Sequence, residues 1–274
     1  MRRSAWALVF ALAGCAREPE PAPLDRLALP TGLVQTPEGR WLLISNGNWD
    51  RRYASSGVVV LDLEALEAGL ATPRSAAAEL EPEHPCRDHA DGLRIECDPG
   101  LLIDESLGVR IPAGAGNFAI DRPSGPLGPL RLLIPTRIAP SVSWIDLHGP
   151  GYGGAPGSEL RLDCGQDDER ACAAAYRVAV NEDPARISVD EQGFRYAYLP
   201  HLLGSRLTLL ALEGEAGPSV VDVEDKFFRE DGLFDSKLGG GFAVVQRPCA
   251  VADANAPAAS LECTRPFLFA SERF

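Results

Sequence analysis

Residues 30–46, PTGLVQTPEGRWLLISN, and the stretch GVVVLDL at residues 57–63 set a pattern that the rest of the chain repeats. A short apolar segment meets a Pro-Glu-Gly turn, and an apolar strand follows the turn. A polar loop then leads to a second strand, which ends in Asp-Leu. Short runs of Val, Ile, Leu and aromatic residues between Gly, Pro and Asp turns are typical of strands in hairpins. The stretch therefore predicts a small antiparallel sheet.

The same unit recurs along the chain, and a fourth copy begins near the C-terminus. The further copies are GNFAID (116–121), LRLLIPT (130–136) and SVSWIDL (141–147); ARISVD (185–190), FRYAYLP (194–200) and SRLTLLAL (205–212); and GGFAVV (240–245) with RPFLFAS (265–271). One small sheet cannot bury both of its faces, whereas several sheets packed around an axis can. We therefore expect an all-β fold, a β-propeller of repeated three- to four-stranded blades. The one convincing helical stretch runs from Leu63 to Leu80, interrupted by Gly69 and Pro73.

These copies resemble the blades of YncE-like, or YVTN-repeat, β-propellers. In that family a Pro-x-Gly stretch opens the blade, a Pro-Asp-Gly hairpin follows, and a strand ending in Asp-Leu closes it. The resemblance is clear over residues 30–212 and weak over residues 219–274. It implies a ring of about 4–8 blades. Residues 27–274 hold about three full blades and the start of a fourth, so we expect a propeller that is incomplete at the C-terminus. A small, irregular closed barrel is the alternative.

The first residues have the composition of an export signal. Arg2 and Arg3 precede the apolar run AWALVFAL at residues 5–12, which is far shorter than the about 20 residues that span a bilayer. Leu12-Ala13-Gly14-Cys15 resembles the lipobox of bacterial lipoproteins, in which the cysteine thiol receives a diacylglycerol before cleavage. The resemblance implies a signal peptide at residues 1–14, lipidation of Cys15, and a Pro- and Glu-rich tether at residues 15–26. An ordinary secretory signal with a chance cysteine is the alternative.

The predicted location follows from the same segment. Ala16 and Arg17 come after Cys15, without the aspartate that resembles an inner-membrane retention signal. We therefore expect a protein of the bacterial cell envelope, anchored to the outer membrane through its N-terminal lipid and facing the periplasm or the cell surface. The net charge of −13 disfavours binding to a phosphate backbone, so we expect no nucleic-acid partner.

The cysteines support an oxidising compartment. With Cys15 assigned to the lipid, six remain, and each lies close in sequence to one other. The couples are Cys86 with Cys97, Cys164 with Cys172, and Cys249 with Cys263. Local disulfides across polar loops are the natural interpretation in an exported protein, although proximity alone does not fix the pairing.

A metal site at HPCRDHAD (84–91) is the rival interpretation of the first couple. This stretch combines His, Cys and Asp, which are metal-binding residue types. Its spacing matches none of the usual paired-cysteine zinc patterns, however, and a disulfide would remove the thiolate of Cys86. We therefore predict no metal ligands.

The polar loop after the second predicted strand carries Asn46, Asn48 and Asp50, three oxygen-bearing side chains at alternate positions. This resembles the start of a calcium loop. The sixth and twelfth positions would then be Arg51 and Gly57, where an EF-hand needs Gly and Glu. A polar hairpin loop is favoured, and Ca²⁺ is kept only as an alternative to no cofactor.

Other loop positions complete the set of candidates. His201 follows a predicted strand and could line a site at the end of a propeller channel, whereas a hydrogen-bonded loop histidine is the alternative. Asn46, Asn48, Asp50 and His201 are thus the candidate loop site. Trp41, Trp49 and Trp144 are interpreted as blade-packing residues; Trp49 lies in a loop, and exposure there is the alternative for it.

The chain carries no recognisable catalytic motif, so no catalytic residue is predicted. We interpret it as a non-catalytic binding or scaffold module whose loops recognise an envelope protein or a glycan. The alternative is a propeller enzyme of the lactonase or quinoprotein-dehydrogenase type, with a metal or cofactor at the channel. Asp62, Asp146 and Asp190 would then be its candidate ligands, but their recurrence at equivalent blade positions is better explained by turn structure.

Overall fold

A computed structural model describes residues 19–123, 128–184, 186–190, 195–203, 206–213, 217–225, 240–246 and 268–273. The fold is mostly β, as predicted. In chain order the strands are β1 (Pro30–Gln35), β2 (Trp41–Asn46), β3 (Ser56–Asp62), β4 (Cys86–Asp88), β5 (Ile95–Cys97), β6 (Val109–Ile111), β7 (Ala119–Asp121), β8 (Leu130–Thr136), β9 (Ser141–Pro150), β10 (Gly153–Gly154), β11 (Arg161–Asp163), β12 (Arg177–Ala179), β13 (Ser188–Val189), β14 (Tyr196–Pro200), β15 (Leu207–Ala211), β16 (Ser219–Glu224), β17 (Gly240–Gln246) and β18 (Leu268–Arg273).

The first sheet has the strand order β1-β2-β3-β6, and all of its neighbouring strands are antiparallel. Its first three strands are the ones that the sequence predicts. An insertion separates β3 from β6 and contains helix α1 (Leu63–Ala71) and the β4–β5 hairpin. Asp62 begins the helix, because its Oδ1 accepts a hydrogen bond from the Ala65 N–H at 3.0 Å. The helix ends at Ala71 rather than at Leu80, just before Pro73.

The second and third sheets repeat this arrangement. The second sheet has six strands, with β7, β8 and β9 as antiparallel neighbours. The other edge of the long strand β9 pairs with β12 along its first part and with β11 further on, and β10 pairs in parallel with the end of β9. The third has the order β13-β14-β15-β16, and β17 pairs with β18 in a separate hairpin. The predicted strands of these copies are confirmed. The predicted turn at residues 191–193 lies outside the described residues.

The sheets stack face to face in the order of the sequence. Leu132 and Ile134 of β8 pack in one core cluster with Leu43 and Val58 of the first sheet. Leu133, which points to the opposite face of the same strand, packs with residues of the third sheet. Trp41 and Trp144 are buried in these two clusters. The described residues contain no closed ring of sheets.

The N-terminal segment differs from the free tether that the sequence predicts at residues 15–26. Ala22 and Leu24 are buried, and Leu24 packs on the outer face of the first sheet beside Leu102. The Ala22 N–H donates to Ser55 Oγ at 3.0 Å, and its carbonyl accepts from Arg110 Nε at 2.8 Å. Apolar burial therefore makes residues 22–24 part of the folded unit. Cys15 lies outside the described residues.

Two of the predicted disulfides are confirmed, Cys86–Cys97 and Cys164–Cys172. The first joins β4 to β5 at directly opposed positions. The second closes the loop between β11 and β12, so it holds together the two strands that pair with β9. Cys249 and Cys263 lie outside the described residues. Within the described ranges, no helix is long and apolar enough to cross a bilayer.

Candidate functional site

Three hairpin loops meet at one end of the stacked sheets, which we call the loop end. They are residues 47–55 between β2 and β3, residues 137–140 between β8 and β9, and the described residues 201–203 and 206 between β14 and β15. Backbone hydrogen bonds connect them through neighbouring segments. Gly114 donates to Gly47 O and its own carbonyl accepts from Arg137 N, while Leu202 N donates to Asp183 O. The loops of the sequence-predicted candidates therefore lie at the same end of the molecule.

The side chains of Asn46 and Asn48 are used to hold backbone. Asn46 Oδ1 accepts from Ala28 N, and its Nδ2 donates to Arg26 O, both at 2.9 Å. Asn48 has a left-handed φ of 50°, and its amide group makes two hydrogen bonds with the backbone of Tyr53. Both residues are buried. The structure therefore favours the polar hairpin loop over a calcium loop at these positions.

Asp50 is exposed and accepts from the backbone N–H of Arg52 at 3.3 Å. The Arg52 Nε lies 3.5 Å from its second oxygen. Across the part of the chain that the structure describes, no three His, Cys, Asp or Glu residues come together as a metal site would require. In the HPCRDHAD stretch, Cys86 is held in its disulfide, and His89 lies beside Asp91.

His201 is fully buried beneath the loop end. Its Nδ1 lies 2.7 Å from the Glu182 carbonyl oxygen, and its Nε2 lies 2.8 Å from Thr208 Oγ1. A carbonyl oxygen only accepts, so Nδ1 carries the proton and Nε2 accepts from the Thr208 hydroxyl. Burial lowers the pKa of the imidazole below its ordinary value. These contacts are those of a histidine that joins two segments of the fold.

The recurring aspartates also have local partners. Asp62 caps helix α1 and accepts from Arg40 at 3.4 Å. Asp146 forms a two-pronged ion pair with Arg131 on the facing strand. Asp190 is buried at the end of β13, and its backbone N–H donates to Tyr196 O. The first two aspartates thus stabilise the ends of strands, which agrees with the interpretation as turn structure.

A cavity of about 270 Å³ opens at the loop end, lined by Trp49, Arg51, Arg137, Ile138 and Asp183. The Arg137 guanidinium lies 4.6 Å from the centre of the Trp49 ring and donates through Nε to Asp183. The arginines outnumber the single aspartate. We call this cavity the loop-end cavity, and its wall is positive although the whole chain carries −13.

Sequence analysis nominates none of these five residues as a site residue. For Trp49 it favours packing within a blade over exposure in the loop, and the side chain is 37% exposed. Arg51, Arg137, Ile138 and Asp183 have no role in the predicted site, because the lining residues come from three segments far apart in the chain. Only the position of Arg137 could have indicated it, because it directly follows the predicted strand LRLLIPT and so begins a loop.

A larger cleft of about 830 Å³ lies toward the opposite end of the first sheet. Its wall mixes both charges, and several of these groups already have protein partners. Arg40 contacts Asp62, Asp104 accepts from Ser106, and Arg170 donates to Gly108 O. The loop-end cavity is therefore the more distinctive site.

A scan against protein-family models finds no match to this chain, and searches of curated proteins and of solved structures also find none. The function has to be argued from the residues of the molecule itself.

Proposed function

We propose that this chain is an exported, lipid-anchored β-propeller lipoprotein of the bacterial cell envelope, and that it acts as a non-catalytic binding or scaffold module. The observation that carries the binding role is at the loop end. Each of the three loops presents one large apolar side chain to solvent: Trp49 is 37% exposed, Ile138 36% and Leu203 54%. Exposed apolar side chains that cluster at one surface are typical of interaction sites.

The propeller architecture is supported by the order of the sheets. Three mainly antiparallel sheets follow one another in sequence, and the second packs between the first and the third. The β17–β18 hairpin continues the series, since β17 lies against β13 and β14. Repeated sheets that bury their faces against their neighbours are the principle of a propeller. The resemblance of the repeats to YncE-like blades supports the same architecture.

A binding role fits the loops better than catalysis does. The buried polar side chains that sequence analysis nominated make hydrogen bonds that fix the loops, which gives a rigid surface. Trp49 and Arg51 are left at that surface, and Trp and Arg are the residue types that most often anchor binding interfaces. The envelope location rests on the export signal and on the motif around Cys15. The partner that we propose is an envelope protein or a glycan.

The experiment is affinity purification of the native, lipidated protein from its own envelope, with variants that separate the loop end from the opposite end. Arg122 is a matched control, because it is an exposed arginine that follows β7 at the end away from the loops. We expect one partner to purify with the wild type and with Arg122→Ser, and to be lost from Trp49→Ala. Equal partner recovery from all three proteins would contradict a binding role for the loop end. A stoichiometric metal or chromophore would favour the enzyme alternative.

A further inference from the structure

We infer that the loop-end cavity binds an acidic sugar residue, a pyranose ring that carries a carboxylate. This inference rests on the proposed binding function and names the ligand class for the same end of the molecule.

The charges of the cavity select an anion. Two arginines, Arg51 and Arg137, and one aspartate line the cavity. The cavity is therefore positive, whereas the whole chain has 39 acidic and 26 basic side chains. Arg137 is already paired with Asp183. The Arg51 guanidinium makes no hydrogen bond or ion pair with any described residue, so its charge remains for a ligand. A guanidinium binds a carboxylate through two parallel hydrogen bonds.

The size and the aromatic wall select a single ring. Ligand sites for drug-sized molecules measure about 300–1,000 Å³, and this cavity, at about 270 Å³, is slightly smaller. Trp49 supplies an indole that is apolar over most of its surface, with Ile138 beside it. A pyranose has apolar C–H groups that pack on such a wall, while its hydroxyls remain free for polar contacts.

Asp183 fixes the arginine at the wall of the cavity. Its Oδ1 accepts from Arg137, whereas its Oδ2 is buried and has no hydrogen-bond donor among the described residues. A group in the open cavity does not reach this buried oxygen, so Asp183 acts on a ligand only by holding Arg137 in place. The ring that packs on Trp49 and Ile138 distinguishes the sugar from an acidic peptide side chain, which brings a carboxylate without a ring.

The site is built before any ligand arrives. Arg137 is held between Asp183 and the Trp49 ring. The Arg51 N–H donates to Asn48 O at 3.1 Å, and Asn48 in turn fixes Tyr53. Because these groups are already ordered, a ligand does not have to order them when it binds.

The test is calorimetric titration of the full-length, lipidated protein with glucuronic acid, in low salt and in a detergent without sugar headgroups. Glucose, acetate and a short oligoglutamate peptide are the comparison probes. We expect glucuronic acid to bind at least about tenfold more tightly than each of them, because only it offers ring, hydroxyl and carboxylate together. Raising the salt concentration should weaken this binding.

Variants assign the binding to the cavity. Arg51→Ser should weaken glucuronic acid binding about tenfold or more, Arg51→Lys should restore part of the loss, and Arg122→Ser should leave binding unchanged. Unfolding curves of each variant show whether the protein is still folded.

Several results would overturn the inference. Equal binding of acetate would show a simple anion site, preferred binding of the peptide would show a protein ligand, and loss of binding in Arg122→Ser would show a nonspecific charge effect. Absence of any binding would also overturn it. If an envelope partner is still captured through Trp49 while glucuronic acid does not bind, the sugar inference alone fails. If capture does not depend on Trp49, the proposed function itself fails.

Discussion

His201 makes the stability of the protein depend on pH, because its buried imidazole is neutral in the folded state. Burial lowers its folded-state pKa below the ordinary value of about 6.5. As the pH falls through about 6.5, the imidazole binds a proton in the unfolded chain but not in the folded chain. The free energy of unfolding therefore decreases with falling pH until the folded-state pKa is reached. Above that range both states are neutral, and this group contributes no pH dependence.

The variant His201→Gln tests this linkage. We expect it to cost about 1–3 kcal/mol at pH 8, because two buried hydrogen bonds are disturbed. Between pH 8 and pH 5.5 the wild type should lose more stability than the variant, with a difference in slope of at most about 1.4 kcal/mol per pH unit. Urea unfolding at several pH values measures both slopes. Parallel curves for the two proteins would contradict a titrating role for His201.

The candidate site could be predicted only where one residue's chemistry and its place in the repeat were enough. Trp49 could be placed in a loop, since it follows a strand within a polar stretch, but its exposure there was only the alternative to packing within a blade. The use of Asn48 could not be foreseen, because its partner is the backbone of Tyr53 in a left-handed turn. Arg137 and Asp183 meet only after the second and third sheets have packed, and the linear sequence carries no sign of that contact.

Strands β8 and β9 are joined by a buried ion pair as well as by their backbone. Arg131 Nε lies 2.7 Å from Asp146 Oδ1, and the side chains are 8% and 21% exposed. Asp146→Ala would leave the arginine charge buried and unpaired, which should cost about 3 kcal/mol in the free energy of unfolding. The double variant Arg131→Met/Asp146→Leu removes both charges and should be more stable than Asp146→Ala. Urea unfolding distinguishes them, and a double variant that is the less stable of the two would contradict this account.

The contact between the second and third sheets requires a glycine at position 217. Its φ is +96°, and a Cβ there would lie 2.2 Å from Trp144 Cζ2. Gly217→Ala combines steric overlap with backbone strain and should cost about 2–4 kcal/mol. Gly157 is the matched control, because its φ is +79° but a Cβ would meet nothing within 4 Å. Gly157→Ala should therefore cost only about 1 kcal/mol. Equal losses on urea unfolding would show that packing on Trp144 is unimportant.

The elements that the sequence predicted are the ones whose burial is visible in their composition. LRLLIPT became β8, in which every residue is buried, and both faces of that strand are covered by neighbouring sheets. The missed strands are short or exposed outer ones. β16 is exposed along most of its length, so it shows no contrast between an apolar and a polar face. Helix α1 was placed correctly at its start, where Asp62 provides the cap, and too long at its end.

The architecture of the whole molecule could be predicted as far as stacked antiparallel sheets. Repetition in the sequence predicts that each sheet needs neighbours, and the core clusters on both faces of the second sheet agree with this. The covering of the first sheet's outer face was not predicted. Leu24 and Leu102 lie there, and Leu24 belongs to a Pro- and Glu-rich segment whose composition suggested a tether. Burial of Ala22 and Leu24 attaches this segment to the fold.

Membrane attachment is predicted to depend on one atom, the thiol sulfur of Cys15. The whole chain carries a net charge of −13, and removal of residues 1–14 with Arg2 and Arg3 would leave −15, so anionic lipid surfaces repel the body. Cys15→Ser should therefore move the protein from the membrane pellet to the soluble fraction when cells are fractionated. Ala16→Asp is the matched control, since it keeps the thiol and should remain in the pellet, at the density of the inner membrane. A serine variant that stays in the pellet would contradict lipidation at this position and return the segment to an ordinary secretory signal.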